Sequence, residues 1–265
     1  GQDNRVPAGE SKPFDVGALI QIGEDLQLRV LAISDEGITF MKFMKDTQRS
    51  ELIFLPWNQK NGLGEIMLPF AADAYAKIVI ENEIPYLENL GFGKDVFLLT
   101  RELQNAPMRK WGVGFGRNTD SELAFLAAPL EDVEGWRFPF SSTKFHLEEA
   151  QAGQYGIKIS GAKSKNREMD PFVLDEETRT PVLLKVGVRY LFYRGPEGHL
   201  MIRGEDDPEH PIKTNIVNSS ISRLDEESDE GHMELMILET PKGPVLVFRD
   251  EHSTYGTYWK LTEAG

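Results

Sequence analysis

Short runs of alternating apolar and polar residues, each ended within a few positions by glycine, proline or aspartate, constrain this chain more than any other feature. A period of two sends successive side chains to opposite faces, so such a run buries one face as a strand and leaves the other to water. Residues 18–22, 26–33 and 38–44 read as a meander, with Gly23-Glu24-Asp25 and Ser34-Asp35-Glu36-Gly37 as its turns. Residues 51–55 continue it until Pro56 removes a ladder donor. Further runs lie at 96–100, 122–127, 155–160, 182–186, 188–193, 199–203, 233–238 and 245–249. Strands this short and this closely spaced predict a mostly-β chain of sandwich- or barrel-like domains.

Two stretches point instead to one or two short helices. Residues 70–80 (FAADAYAKIVI) are alanine-rich and follow Pro69, which suits a first helical turn, although their end alternates like a strand. Residues 145–152 are the second, weaker candidate. Three segments also carry a glycine two or three residues before a tyrosine: Gly153 with Tyr155, Gly187 with Tyr190, and Gly256 with Tyr258. In sandwiches, a tyrosine at such a corner returns a hydrogen bond from its phenol to nearby backbone.

The organisation expected is a flexible tether over 1–13, an N-terminal β-rich domain over 14–140, and a C-terminal β-sandwich-like domain over 141–265. Pro139 and two serines interrupt the pattern at 138–143, and 11 of the 15 phenylalanines precede residue 141. The polar stretch 161–168 is the competing boundary, and serves equally well as a hairpin loop. A chain opening on Gly1 rather than methionine reads as trimmed, with Gly1 a protease scar and the polar segment after it a tether behind a removed leader. The setting expected is therefore extracytoplasmic: periplasmic, surface-anchored or secreted.

Charge narrows the partners. The net charge is −14, and residues 1–140 and 141–265 each carry −7, so neither half is a basic surface for nucleic acid or anionic lipid. With no cysteine there is no thiol catalysis, disulfide or thiolate metal site. No apolar run approaches the ~20 residues that span a bilayer as a helix. Gly112-Val113-Gly114-Phe115-Gly116 is glycine-rich, but Arg117 stands where a dinucleotide site needs its third glycine. Walker, serine-hydrolase and zinc-protease motifs are absent.

Three groups of residues remain as candidates. Nine acids lie between Glu205 and His232, among them Asp206, Asp207, Asp225 and Asp229, and clustered carboxylates stay solvated or gather a cation such as calcium. The run from Asp225 to Gly231 departs from an EF-hand, with Glu230 at the obligatory glycine and Met236 at the distal glutamate. His210, His232 and His252 each stand beside an acid, and could hold zinc only if their loops met at one rim. Trp57 and Asn58 sit together in a polar loop, and Tyr255, Tyr258 and Trp259 cluster near the C-terminus. A planar ring beside amides is what an exposed ligand platform requires, and a ring capping a core edge is the alternative. The function expected is non-catalytic binding of a glycan or other cell-envelope component. The alternatives are a glycan or peptide hydrolase with acids in an interdomain cleft, and a structural or assembly module.

Overall fold

The structure, a computed structural model, describes residues 4–44, 49–58, 64–68, 74–99, 126–138, 140–161, 166–251, 253 and 256–262. Among them every extended element is a β-strand, and helical backbone is limited to three single 3-10 turns. The chain divides into two compact units. One holds Gly1–Gln104 with Ala124–Ala128 and Thr240–Lys242; the other holds Asn105–Leu123, Pro129–Glu239 and Gly243–Gly265.

Among the described residues nine strands lie before residue 100: β1 (Ser11–Pro13), β2 (Leu19–Ile22), β3 (Leu26–Ile33), β4 (Gly37–Met44), β5 (Arg49–Pro56), β6 (Glu65–Leu68), β7 (Ala76–Glu81), β8 (Ile84–Asn89) and β9 (Val96–Leu99). They form a five-stranded sheet in the order β5-β4-β3-β2-β9 and a four-stranded sheet in the order β1-β8-β7-β6. The 1–13 segment is not a tether from residue 4 onward. Val6 is fully buried, its N–H donates to the Val96 carbonyl at 2.8 Å, and β1 pairs with β8. A buried apolar side chain and ladder hydrogen bonds fix that segment against two strand edges.

The helix expected over 70–80 is also corrected, since β7 occupies its second half. Residues 70–73 lie outside the described residues. The strand is paired on both sides, Ile78 facing Ile66 and Leu87 in the buried layer. Lys77 faces outward between Glu65 at 3.4 Å and Glu88 at 3.3 Å. Those cross-strand partners outweigh the weak helix propensity of a few alanines.

The remaining strands are β10 (Leu126–Pro129), β11 (Val133–Arg137), β12 (Lys144–Gln151), β13 (Gln154–Ser160), β14 (Leu183–Lys185), β15 (Arg189–Arg194), β16 (His199–Gly204), β17 (Ile212–Val217), β18 (Met233–Leu238), β19 (Val245–Asp250) and β20 (Tyr258–Leu261). They form a sheet ordered β14-β13-β12-β11-β20 and a sheet ordered β10-β19-β18-β15-β16-β17. Trp136 of β11 joins the two layers, its ring 6.5 Å from Phe192 of β15 and 6.5 Å from Phe248 of β19. Phe248 stacks in turn on Trp259 of β20 at 5.8 Å. This interleaved aromatic layer makes the unit a sandwich.

The second helix candidate, 145–152, is strand β12. It folds back on β13 through a tight turn in which Gly153 takes φ +73°, a conformation glycine reaches without strain. The 138–143 stretch, expected as a domain boundary, instead connects β11 to β12. These are neighbours in one sheet with Trp136 opposite Phe145, and the stretch lies inside the second unit. The corner signal holds at Tyr190, whose phenol oxygen accepts a hydrogen bond from the Lys185 N–H at 2.8 Å while Gly187 takes φ +80°.

Because Trp259 is 4% exposed in the aromatic layer and Tyr258 points the other way, their truncations should separate. Trp259→Ala is expected to lower stability by about 3–5 kcal/mol. Tyr258→Ala should cost no more than about 1 kcal/mol, within the range of half-exposed positions. Urea unfolding midpoints of the two variants check this.

Candidate functional site

The outer face of the β14-β13-β12-β11-β20 sheet is built by strand alternation. Once Trp136, Phe145 and Trp259 turn inward, Arg137, His146, Tyr258 and Lys260 must turn outward. A bulge between Val133 and Gly135 adds Glu134 to this face. Gly135 has φ +151°, and a Cβ there would lie 2.4 Å from the Phe145 carbonyl, so the bulge requires glycine. Glu134 accepts from Lys144 at 2.5 Å and meets Lys260 at 2.8 Å. The Lys144 hydrogen bond, followed by that of Lys260, holds the Glu134 carboxyl below its ordinary pKa.

One half of this face is roofed by the segment 166–173. Asp170 accepts a hydrogen bond from Ser160, the Lys158 ammonium donates to the Glu168 carbonyl at 3.0 Å, and Arg167 donates to the Glu134 carbonyl. Phe172 lies directly on Gly156, where a Cβ would fall 2.3 Å from its ring, and Lys158 stands 5.0 Å from the centroid of that ring. The other half stays open. There the Arg137 guanidinium carbon lies over the half-exposed Tyr258 ring, 5.0 Å from its centroid. In the β11–β12 loop Phe140 is 84% exposed with φ +54°, a backbone conformation costly for a bulky side chain.

Beneath the roof His146, Ser160 and Asp170 are all buried and linked. This is not the order of a nucleophilic triad, in which the imidazole lies between the hydroxyl and the carboxylate. Here the serine is central, donating its proton to Asp170, with its oxygen 3.2 Å from His146 Nδ1. The hydroxyl proton is committed to the Asp170 carboxylate rather than to the imidazole, so the serine reads as a link between the two side chains. Burial, with the Arg167 charge second, lowers the His146 pKa to about 4.

A second buried group gathers Glu234, Arg249 and Glu251. Arg249 contacts Glu251 and lies 3.1 Å from Glu234. Burial pushes the Glu251 carboxyl up to about 7. An acid–base pair needs a substrate between its carboxyls, and the guanidinium fills the position between these two.

The sequence-derived candidates divide differently. Trp57 is half-buried and donates its indole N–H to the Ser34 carbonyl at 2.8 Å, capping the β3–β4 turn, while Asn58 beside it is exposed. Trp259 is a core residue rather than a platform, because its neighbour Tyr258 takes the outward position. Tyr255, His252 and the Gly112–Gly116 motif lie outside the described residues. The four aspartates have separate partners within the protein. Asp206 pairs with Lys185 at 2.8 Å, Asp207 with His210 at 2.7 Å and Asp229 with Arg203 at 2.7 Å. Asp225 caps its own turn, accepting from the Glu227 N–H at 3.0 Å and the Ser228 N–H at 3.3 Å. Among the described residues no group of three or more histidines or acids is arranged to hold a metal ion. His210 is exposed while His232 is fully buried, its Nδ1 accepting from the Ser222 N–H at 2.9 Å, so these two do not share a rim.

Set beside protein-family models, curated proteins and solved structures, the chain matches none of them.

The buried rings make stability depend on pH. His146 and His232 titrate in the folded protein at about 4 and about 3, against an ordinary 6.5. The unfolded chain binds more protons between these limits, so the stability they give is complete above pH 6.5 and falls as pH drops. Glu251, raised from 4.5 to about 7, works oppositely: its contribution is present below pH 4.5 and declines as pH rises through 7. The His146→Asn and His232→Asn variants should each lose less melting temperature between pH 6.5 and 4 than the parent. Equal losses in all three proteins would refute the assignment of neutral rings.

Proposed function

We propose that this is a non-catalytic, extracytoplasmic binding protein that holds a glycan or another cell-envelope component on the open half of the β12-β11-β20 face. The Arg137–Tyr258 pair carries the reading: an aromatic ring on a sheet surface, with a guanidinium over it and beside hydrogen-bonding Glu134, Lys144 and Lys260. A pyranose ring presents an apolar face to an aromatic ring and hydroxyls to its polar neighbours, so a flat surface with both suits an extended sugar chain. The serine-centred order of His146, Ser160 and Asp170 and the wedged Arg249 favour binding over hydrolysis. A glycan array followed by calorimetric titration tests the proposal. Tyr258→Ala is expected to abolish binding with the melting temperature little changed, and an array with no bound glycan would refute it.

An assembly module is the second reading, and it draws on β5. That strand ends its sheet, pairs with β4 over eight residues without a bulge, and exposes Leu52 and Phe54 at 47% and 49%. Long regular edges with exposed apolar residues favour pairing with another strand, and a second copy meets such an edge by two-fold symmetry. Concentration-dependent dimerisation in sedimentation, lost in Leu52→Lys, would support this reading; a monomer at all concentrations would exclude it.

A further inference from the structure

We infer that Arg137 is an anion-recognition residue and that the glycan bound on this face carries carboxylates, as a polyuronate chain does; this rests on the binding reading above. Arg137 is exposed and has no ion pair among the described residues, in a chain with 43 acids and 29 lysines and arginines. The other cations of the face are engaged within the protein. Lys144 and Lys260 meet Glu134, Lys158 meets Glu148 at 2.9 Å, and Arg167 donates to a backbone carbonyl.

The guanidinium carbon lies over the Tyr258 ring, 5.0 Å from its centroid, and its N–H groups make no ion pair among the described residues. The N–H edge of a guanidinium matches two carboxylate oxygens bidentately, a geometry an ammonium lacks. Glu134, the carboxylate on the open face, has its charge offset by two lysines, so it offers little repulsion to an incoming anion. The open half of the face is therefore locally cationic within a protein of net charge −14. Its electrostatics oppose those of the rest of the chain and complement a polyanion. Sugar rings supply contact for Tyr258, and their carboxylates supply the ion-pair partner that Arg137 lacks among the described residues.

Polygalacturonate and its methyl ester share one backbone and differ in charge, so they separate carboxylate recognition from sugar recognition. Calorimetric titration at low ionic strength should show binding of the acid form and little of the ester. Arg137→Gln should weaken it by at least about tenfold, the value of a charged hydrogen bond, with an unchanged melting temperature. Arg137→Lys should recover only part, and added salt should weaken the parent's binding. Equal binding of acid and ester, unaffected by Arg137→Gln, would overturn the inference while leaving glycan binding intact. Neutral glycans bound on the array without polyuronates would do the same. No binding to any glycan would overturn both. Inorganic sulfate competing as well as an oligogalacturonate would mark a bare oxyanion site and overturn the glycan assignment.

Discussion

The burial of Trp136 between the two sheets of the second unit is the contact on which its other features depend. Trp136 meets Phe192 and Phe248, Phe248 stacks on Trp259, and Phe145 stacks on Trp136 at 5.9 Å. Large aromatic side chains dominate core energetics, and here they also set register. With Trp136 opposite Trp259 and both inward, Arg137 opposite Tyr258 has to face outward. A slip of one residue would bury the guanidinium and expose an indole, so the core and the candidate site are specified by the same pairing.

The outer face shows how polar groups are made compatible with burial. Lys158 is 3% exposed, yet its ammonium has Glu148, a backbone carbonyl and the face of Phe172. Ser160 links His146 to Asp170 beneath the crossing segment. Each bond removes the cost of an unsatisfied buried group and pins the roof to the sheet. The rigid roof contrasts with the open half, where Arg137 and Phe140 face solvent. A preorganised floor beside exposed recognition groups is an arrangement suited to binding.

Much of the strand content was legible. The runs at 26–33, 38–44 and 233–238 reappear as β3, β4 and β18 because alternation and turn residues are local signals. Strand β12 was not legible as a strand, and β7 only through the alternation at the end of the 70–80 stretch. The acids of β12 carry helix propensity, and only pairing on both sides makes that stretch extended. For the site, Tyr258 and Trp259 are adjacent and so take opposite faces of a strand, but nothing local says which one faces inward. Arg137 carried no signal, since an arginine after a tryptophan is unremarkable until the register sets it across from a tyrosine. The partners of the aspartates were hidden for a related reason. Asp206 and Asp207 are adjacent in sequence but extend to Lys185 and His210, because neighbouring residues on a strand end or turn point apart.

The sequence by itself determined that this is a strand-rich, acidic, cysteine-free chain, because period-two alternation, turn residues and charge are properties of neighbouring residues and of composition. Tertiary structure decided that residues 4–13 belong to the fold, that 138–143 connects two strands of one sheet, and that Arg137 meets Tyr258 across 121 positions of chain. Those outcomes depend on which strands pair and in what register. Register is fixed by the joint burial of side chains distant in sequence, a cooperative choice that no local window contains.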